Sequence, residues 1–219
     1  MDEYIGILQK SAFFKGMDCD EIVKAVDFLD GKRRIYKKGQ YIFRAGDNIS
    51  SVGFVLDGQA RIEKEDYYGN RSIIASIARG DIFGEVYACR ENNAISVNVF
   101  AAEDTAVLML SVGNIFSESL PEESFCGRIT HNLISILAEK AFILNRKIEH
   151  VTKRTTREKL MSFFSEQAVI SGCPEFDIRF NRQELADFLC VDRSAMSGEL
   201  SKMRQEGIIS YSKNHFKLH

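Results

Sequence analysis

Apolar residues change their spacing several times along this chain of 219 residues. Between positions 18 and 29 they recur at helical intervals behind an acidic residue, which predicts a short helix. From Arg34 to Leu110, short runs rich in Ile, Val, Phe and Tyr alternate with turn signals such as "RAGDN", "LDGQ" and "ARGD". Turns that repeat at roughly 8–12 residues between such runs predict an antiparallel barrel or sandwich.

A long helix is predicted after Pro121, because apolar residues recur there at steps of three and four over roughly five turns. This apolar seam consists of Leu133, Leu137, Ala141, Leu144, Ile148 and Val151. It can pack on the chain's own barrel, or it can pair two such helices across a dimer axis. The length favours the dimer interface, since a helix of about 30 residues projects beyond a small barrel.

The seam stops at "HVTKRTTREKL", which begins at His150 and is rich in threonine and charge. We expect a hinge in this stretch. Three segments are thus predicted: an N-terminal domain over residues 1–120, a dimerisation helix over 121–151 and, after the hinge, a C-terminal domain over 152–219. The C-terminal domain is expected to begin with a helix over about 156–170.

The signals after residue 180 predict a helix-turn-helix. Asn181, followed three residues later by Glu184, is a capping pattern for a helix that ends near Leu189. After a short turn, Asp192 can cap a second helix, and two short helices across such a turn form a helix-turn-helix. The apolar face of the second helix consists of Met196, Leu200 and Met203. The tail "ISYSKNHFKL" then predicts a hairpin with "KN" near its turn, which would form a wing.

The opposite face of the second helix predicts DNA binding. A helix in the major groove needs small residues that allow close approach and a few donors aimed at base edges. Arg193 can donate two hydrogen bonds to a guanine, while serines and nearby cations can contact bases or phosphates. The predicted DNA-binding residues are Arg182, Gln183, Arg193, Ser194, Ser197, Gly198, Ser201, Lys202 and Lys213. A solvated helix face is the alternative interpretation.

Composition and charge narrow the class of protein. Hydrophobic residues make up 45% and charged residues 27%, which is typical of a globular protein. No apolar run approaches the roughly 18 residues of a membrane span, and no signal peptide is recognisable, so we expect a cytoplasmic protein without a membrane partner. Residues 1–150 contain 18 Lys and Arg against 22 Asp and Glu, whereas residues 151–219 contain 11 against 9. This asymmetry is weak support for nucleic-acid binding.

The sequence contains no recognisable pattern of catalytic or metal-binding residues. The chain has no nucleophile–base pair, no paired carboxylates and no zinc-like spacing of Cys and His, so we expect neither an enzyme nor a metal site. The odd, dispersed set of cysteines argues for reduced thiols. These are Cys19, Cys89, Cys126, Cys173 and Cys190.

Several stretches together resemble one family. "RQELADFLCVDRSAMSGELSKMRQEGII" is similar to the DNA-binding motif of the Crp/Fnr family of bacterial transcription regulators, and "YIFRAGDNISSVGFVLDGQARI" and "IARGDIFGEVYA" resemble its cyclic-nucleotide-binding-type barrel. The resemblance implies an α+β fold: an N-terminal antiparallel β-barrel of jelly-roll type, a long dimerisation helix and a C-terminal winged helix-turn-helix domain. It also implies a homodimer that binds an inverted repeat in double-stranded DNA, with RNA polymerase as a further partner.

The residues that would bind an effector depart from the family. Members that bind cyclic AMP resemble this chain at Phe83-Gly84-Glu85, where the glutamate accepts from the ribose. Their next motif is an Arg-Ser pair whose arginine holds the phosphate, and here Ile95 and Ser96 occupy those positions. A phosphate buried without a cation costs several kcal/mol, so we do not expect cyclic AMP to be the effector.

The predicted effector pocket is therefore largely apolar. The polar pair that the family's dimer helix turns toward the adenine falls on Phe142 and Ile143. Such a pocket can take a small apolar or aromatic molecule, or it can be a packed core. The predicted pocket residues are Phe83, Gly84, Glu85, Ile95, Ser96, Val97, Phe142 and Ile143.

Other signals known in the family have little support in these residues. Its iron–sulfur sensors need several N-terminal cysteines, and this chain has only Cys19 there, so no cluster is expected. His131 is the candidate for a haem ligand and Cys89 for a redox thiol. The alternatives to a regulator with a small-molecule effector are a redox- or haem-sensing member and a DNA-binding protein whose barrel is vestigial and senses nothing.

Gly198 is a further departure, because many relatives carry arginine at this position. An internal glycine costs a helix roughly 0.5–1 kcal/mol relative to alanine and removes a donor. Our hypothesis is that Arg193 and Ser194 perform most of the readout, while Gly198 allows closer approach to a base or methyl group.

Overall fold

The computed structural model describes residues 2–65, 71–90, 94–116 and 124–219. The chain forms two compact units, Met1–Ala138 and Glu139–His219. Within the described ranges, no helix combines the length and the apolar character needed to cross a lipid bilayer.

Two four-stranded antiparallel sheets form the N-terminal unit. In spatial order, the first sheet contains β1 (Lys32–Tyr36), β8 (Thr105–Ser111), β3 (Ser51–Asp57) and β6 (Ile82–Phe83). The second contains β2 (Tyr41–Phe43), β7 (Asn98–Ala101), β4 (Ala60–Glu65) and β5 (Arg71–Ile77). The helical segments of this unit are Asp2–Tyr4, α1 (Ile5–Lys10), α2 (Cys19–Phe28), α3 (Glu85–Ala88) and Val112–Phe116. The predicted antiparallel jelly-roll is confirmed.

Strand β3 contributes to two hydrophobic cores because its side chains alternate. Val52, Phe54 and Leu56 pack with residues of α1 and α2, whereas Val55 points to the cluster between the two sheets. Gly53 lies on the same side as Val55, and a Cβ added there would lie 2.1 Å from the ring of Phe83. Only glycine therefore leaves room for this ring on the strand backbone.

The helix cap and the turn glycines that the sequence indicates in the N-terminal unit are formed in the structure. The carboxylate of Asp18 accepts a hydrogen bond of 2.9 Å from the backbone N–H of Glu21 and starts α2 within the predicted segment. The glycines of the barrel motifs adopt positive φ angles between 79° and 94°, which the turns require. They are Gly46, Gly58, Gly80 and Gly84.

The long helix α4 spans Ser124–Val151, and residues 121–123 of the predicted helix lie outside the described residues. Leu133 is 2% exposed and belongs to the core of the N-terminal unit, with Leu137 packed against it. Of the two alternatives for the seam, Leu133 therefore follows the first, packing on the chain's own core. As a predicted dimer contact it needs correction, since it has almost no surface left for a second chain.

The C-terminal unit continues from the end of α4 through helices and a small sheet. Its elements are α5 (Thr156–Ser171), β9 (Glu175–Asp177), α6 (Arg182–Phe188), α7 (Arg193–Gln205), β10 (Ile209–Ser212) and β11 (His215–Leu218). The hairpin of β10 and β11 is extended by β9 into a three-stranded sheet in the order β10-β11-β9. The helices and the hairpin confirm the predicted winged helix-turn-helix, whereas β9 was not predicted.

The end of α4 is attached to α5 by a buried polar cluster. His150 is 2% exposed, its Nδ1 lies 2.9 Å from the Ser162 hydroxyl, and its Nε2 lies 2.9 Å from the Glu166 carboxylate. The other oxygen of Glu166 accepts from Arg146. The stretch predicted as a hinge thus begins at a residue buried within the C-terminal unit, and the boundary between the compact units falls earlier, after Ala138.

Candidate nucleic-acid interface

Helix α6 starts at the predicted capping box. The side-chain oxygen of Asn181 accepts from the backbone N–H groups of Gln183 and Glu184 at 2.9 and 3.0 Å. The carboxylate of Glu184 in turn accepts from the backbone N–H of Asn181 at 2.7 Å. Both ends of the pattern are satisfied, which fixes where the helix begins.

The turn between α6 and α7 is built around Cys190, whose φ is +51°. Its N–H donates to the carbonyl oxygen of Asp187 at 3.2 Å, and the N–H of Val191 donates to that of Ala186 at 3.0 Å. These two bonds form the Schellman pattern, in which glycine is usual because a Cβ in the left-handed region costs roughly 1–2 kcal/mol. The ammonium of Lys159 donates to the carbonyl oxygen of Cys190 at 3.3 Å and ties the turn to α5.

Helix α7 begins and packs as predicted. The Asp192 carboxylate accepts from the backbone N–H of Ala195 at 2.8 Å, which confirms the expected cap. The three residues of the predicted inner face are buried in the core of the C-terminal unit: Met196, Leu200 and Met203. The helix therefore presents a single, defined face to the outside.

The outer face of α7 is exposed to solvent, and most of its side chains are small. Most of the predicted DNA contacts on this helix are exposed, namely Arg193, Ser194, Ser197, Gly198 and Lys202. Ser201 is half-buried, and its hydroxyl donates to the carbonyl oxygen of Ser197 at 3.0 Å, so it remains able to accept. A Cβ built on Gly198 meets nothing within 4 Å. The protein's own packing thus gives no reason for glycine at this position.

Arg182 requires a correction. Its guanidinium lies over the rings of Tyr211 and Phe216, 5.1 and 4.9 Å from their centroids, and donates to the carbonyl oxygen of Lys213 at 2.8 Å. Burial lowers the pKa of Arg182, as expected for a cation removed from water. The side chain therefore joins α6 to the wing instead of projecting toward a phosphate. Lys213 and Gln183 remain exposed.

Arg157 attaches α5 to α7 and was not predicted. Its Nε donates to Glu199 at 2.5 Å, and its two terminal nitrogens donate to the oxygens of Glu206 at 2.7 and 2.8 Å. The hydrogen bonds to Glu206 and then to Glu199 raise the pKa of Arg157. Both partners lie more than 40 positions along the chain, so no local pattern could have indicated the pair.

A histidine connects the strands of the wing. The Nε2 of His215 lies 2.9 Å from the Glu175 carboxylate, and its Nδ1 lies 3.1 Å from that of Asp177. The hydrogen bond to Glu175, followed by that to Asp177, raises the pKa of His215. When it is protonated, the ring joins β11 to β9 by two charge-assisted contacts.

The residues predicted for the effector pocket fall into both compact units. Phe83, Ile95 and Val97 are buried in the cluster between the two sheets. Phe142 and Ile143 belong to the C-terminal unit, where they are 57% and 52% exposed. Whether these residues form one pocket stays a prediction.

The polar members of that set have different surroundings. Glu85 is buried, at 3% exposure, in the first turn of α3. Ser96 is exposed, and its hydroxyl lies 2.7 Å from that of Tyr87.

The structure places Cys89, the candidate redox thiol, and His131, the candidate haem ligand, in different surroundings. Burial, and after it the charge of Glu85, raises the pKa of the Cys89 thiol, which disfavours the reactive thiolate. His131, the residue considered for haem, is exposed on α4. Among the residues that the structure describes, no group of three or more His, Cys, Asp and Glu side chains is arranged to hold a metal ion.

An exposed apolar row follows on α4 beyond Leu137. Ala141 is exposed, and Leu144 and Ile148 are 58% and 47% exposed. Ile134, which was not included in the predicted seam, is 60% exposed and lies three residues before Leu137. Ile134 therefore continues the spacing of three and four where Leu133 turns inward.

Two family models match the chain. The model of the cyclic nucleotide-binding domain matches residues 33–117, and that of the Crp-like helix-turn-helix domain matches residues 155–219. The chain is 24% identical over 204 residues to the cyclic AMP receptor protein of Thermus thermophilus, covering 92% of this chain and 89% of the relative.

Further relatives are similarly distant. The cAMP-activated global transcriptional regulator Vfr of Pseudomonas aeruginosa is 25% identical over 185 residues, covering 81% of this chain and 84% of the relative. Among solved structures, the c-di-GMP-responsive global regulator CLP of Xanthomonas campestris matches with a TM-score of 0.54 at 18% identity, covering 92% of this chain and 99% of that one.

Fold and site together define a DNA-binding protein in which a winged helix-turn-helix follows a jelly-roll of the cyclic-nucleotide-binding type. The chain belongs to the Crp/Fnr family and is a transcription regulator of that type. Its curated relatives include named transcription regulators matched over 72–84% of their length, whereas cGMP-dependent protein kinase 2 of Mus musculus is matched over only 15% of its length.

Proposed function

We propose that two copies of the chain pair through α4 and bind an inverted-repeat operator. Each α7 would lie in the major groove, with half-sites about one helical turn apart. The observation that carries this proposal is the outer face of α7, where Arg193, Ser194 and Ser197 are exposed beside the bare backbone of Gly198. Residues 152–219 bind DNA, residues 121–151 pair the chains, and residues 1–120 receive the signal that is passed to RNA polymerase.

Pairing through α4 is supported by its exposed apolar row. Ile134, Leu144 and Ile148 are each about half exposed in the single chain, with Ala141 between them. Apolar side chains at this spacing are covered when two helices pack along a common seam. We expect Leu144→Glu to shift the protein from dimer to monomer in sedimentation velocity. Val169→Glu is the matched control, because Val169 is 77% exposed on α5.

The proposed signal is a ligand other than cyclic AMP. Ile95 stands where the family's cyclic-AMP-binding members have the phosphate-binding arginine, and it is 2% exposed within the cluster between the sheets. A phosphate brought there would lose its hydration without gaining a cation. Relatives whose names state a response to cyclic AMP therefore do not define the effector of this chain.

Binding-site selection with the intact chain tests DNA recognition. Selection from random duplexes should return an inverted repeat, and Arg193→Ala should weaken binding to it at least ten-fold and relax one base pair in each half-site. Arg44→Ala removes the same charge from the N-terminal unit and should leave the affinity unchanged. Sites without two-fold symmetry, or equal losses in both variants, would refute this assignment of the interface.

The effector is tested separately by native mass spectrometry and by titration. Protein purified without additives should carry an exchangeable extra mass, and millimolar cyclic AMP should leave the operator affinity unchanged. A ten-fold rise in affinity with cyclic AMP would overturn the argument from Ile95. Equal affinity with and without cell extract, together with no bound mass, would favour a barrel that senses nothing.

A further inference from the structure

We propose that the C-terminal unit has a ligand site of its own, which takes a small aromatic carboxylate. A cavity of about 170 Å³ lies in this unit. It is lined by residues from the C-terminal end of α4 and from α5, together with Phe180 and Phe188, which precede and end α6. None of the predicted DNA contacts lines it, and it does not include the buried residues between the two sheets of the N-terminal unit. Of the residues predicted for the effector pocket, Ile143 alone also lines this cavity, so the site is separate from the buried part of that predicted pocket.

The wall of the cavity is aromatic. Phe180 and Phe188 stack with ring centroids 5.0 Å apart, and Phe163 lies 6.0 and 5.7 Å from these two rings. Phe163 is inclined by 52° and 60° to the planes of these two rings, so the wall offers both ring faces and ring edges against which a further ring can pack. An apolar cavity of about 150 Å³ can admit benzene, so this cavity has room for one ring with a short substituent.

Two cations border this aromatic wall. Arg146 uses its Nε to donate to Glu166, and its two terminal nitrogens have no hydrogen-bond partner among the described residues. The ammonium of Lys147 lies over the ring of Phe188, 5.5 Å from its centroid. A guanidinium with unused parallel donors is suited to a carboxylate, because it can bind both oxygens at once.

Two acidic residues lie near the cavity, Glu166 and Glu139, and they differ in how strongly they should oppose a negatively charged ligand. Both oxygens of Glu166 are engaged, one by Arg146 and the other by the Nε2 of His150. Glu139 also acts electrostatically on Arg146, and its side chain is exposed. Removing the charge of Glu139 should therefore strengthen the binding of an anion, whereas it should weaken the binding of a cation.

The cavity faces away from the proposed dimer seam. With 3.6 residues per turn, Ile143, Arg146 and His150 fall on one side of α4, whereas Leu144 and Ile148 fall on the opposite side. Pairing through the seam would thus leave the cavity open. A bound ligand would contact α4, α5 and α6 together and strengthen the attachment of the long helix to the helix-turn-helix.

Binding of 4-fluorobenzoate to the intact chain, followed by fluorine NMR, tests the site. We expect saturable binding that an equal concentration of benzyl alcohol, which has a ring but no carboxylate, fails to displace. Arg146→Gln should weaken binding at least ten-fold, and Glu139→Gln should strengthen it. Ile143→Trp should abolish binding by filling the cavity, and Val169→Trp, the same change at an exposed position outside the lining, should have no effect.

Two results would overturn the proposal. One is the absence of saturable binding at millimolar 4-fluorobenzoate while the protein still binds its selected operator. The other is saturable binding that survives both Ile143→Trp and Arg146→Gln, which would place the probe elsewhere in the chain. Weaker binding in Glu139→Gln would contradict an anionic ligand in particular. Operator affinity measured on the same samples separates these failures from a failure of DNA binding.

Discussion

Replacing Gly198 by alanine should have opposite effects on stability and on DNA binding. A glycine inside a helix costs roughly 0.5–1 kcal/mol relative to alanine, because it has more backbone freedom to lose. At Gly198 nothing offsets this gain, since a Cβ meets no atom within 4 Å. The variant should therefore stabilise α7 by about 0.5–1 kcal/mol.

Hydrogen exchange of the amides of α7 measures that gain directly. A change of 0.5–1 kcal/mol corresponds to exchange that is roughly two- to five-fold slower, provided that the amides exchange by local opening. The affinity of the same protein for its selected operator should fall about ten-fold, equivalent to about 1.4 kcal/mol, because the new methyl group occupies the space left for a base.

Gly127→Ala is the matched control for Gly198→Ala. Gly127 also lies within a helix, α4, and a Cβ there likewise meets nothing within 4 Å. This control should stabilise its own helix and leave the operator affinity unchanged. If Gly198→Ala stabilised α7 but bound the operator as tightly as the parent, close approach to DNA would not be the reason for the glycine.

Three further predictions concern the C-terminal unit. The pKa of His215 is raised, so the contribution of this residue to folding stability is complete below its ordinary pKa of 6.5 and is lost as the pH rises through the raised value. The urea concentration at the unfolding midpoint should therefore fall over that pH range. The His215→Gln variant should lack this part of the pH dependence. Cys190→Gly should raise the urea midpoint by relieving a left-handed residue, worth about 1 kcal/mol, and an unchanged midpoint would mean that the turn is not strained. Arg157→Gln and Glu199→Gln should each lower the midpoint and should be non-additive in a double-mutant cycle, whereas additive effects would show that the pair is not coupled.

The helix-turn-helix could be predicted because its signals are local. Asn181 and Asp192 each cap a helix through a backbone N–H only three residues away, and the sequence shows both partners at once. The inner face of α7 follows from the helical period alone. The helical period does not reveal what packs against an apolar face. For this reason the sequence includes Leu133 in the predicted dimer interface, although the residue packs in the core of its own N-terminal unit.

Contacts between distant parts of the chain escaped prediction for the same reason. Strand β9 is too short to show a period, and it exists because it pairs with β11 about 40 positions later. Arg182 looked like a phosphate ligand because its position beside the helix start is visible in the sequence, but the aromatic rings that hold it are not. His150 gave no signal at all of its bonds to α5.

The contact between Gly53 and Phe83 limits how the N-terminal unit can evolve. Any side chain at position 53 would overlap a ring that is itself 1% exposed, so neither residue can change first without loss. A library that varies position 53 alone should return glycine almost exclusively. Varying positions 53 and 83 together should also return pairs in which a side chain on the strand accompanies a smaller residue in place of the ring, so the two positions are inherited as a unit.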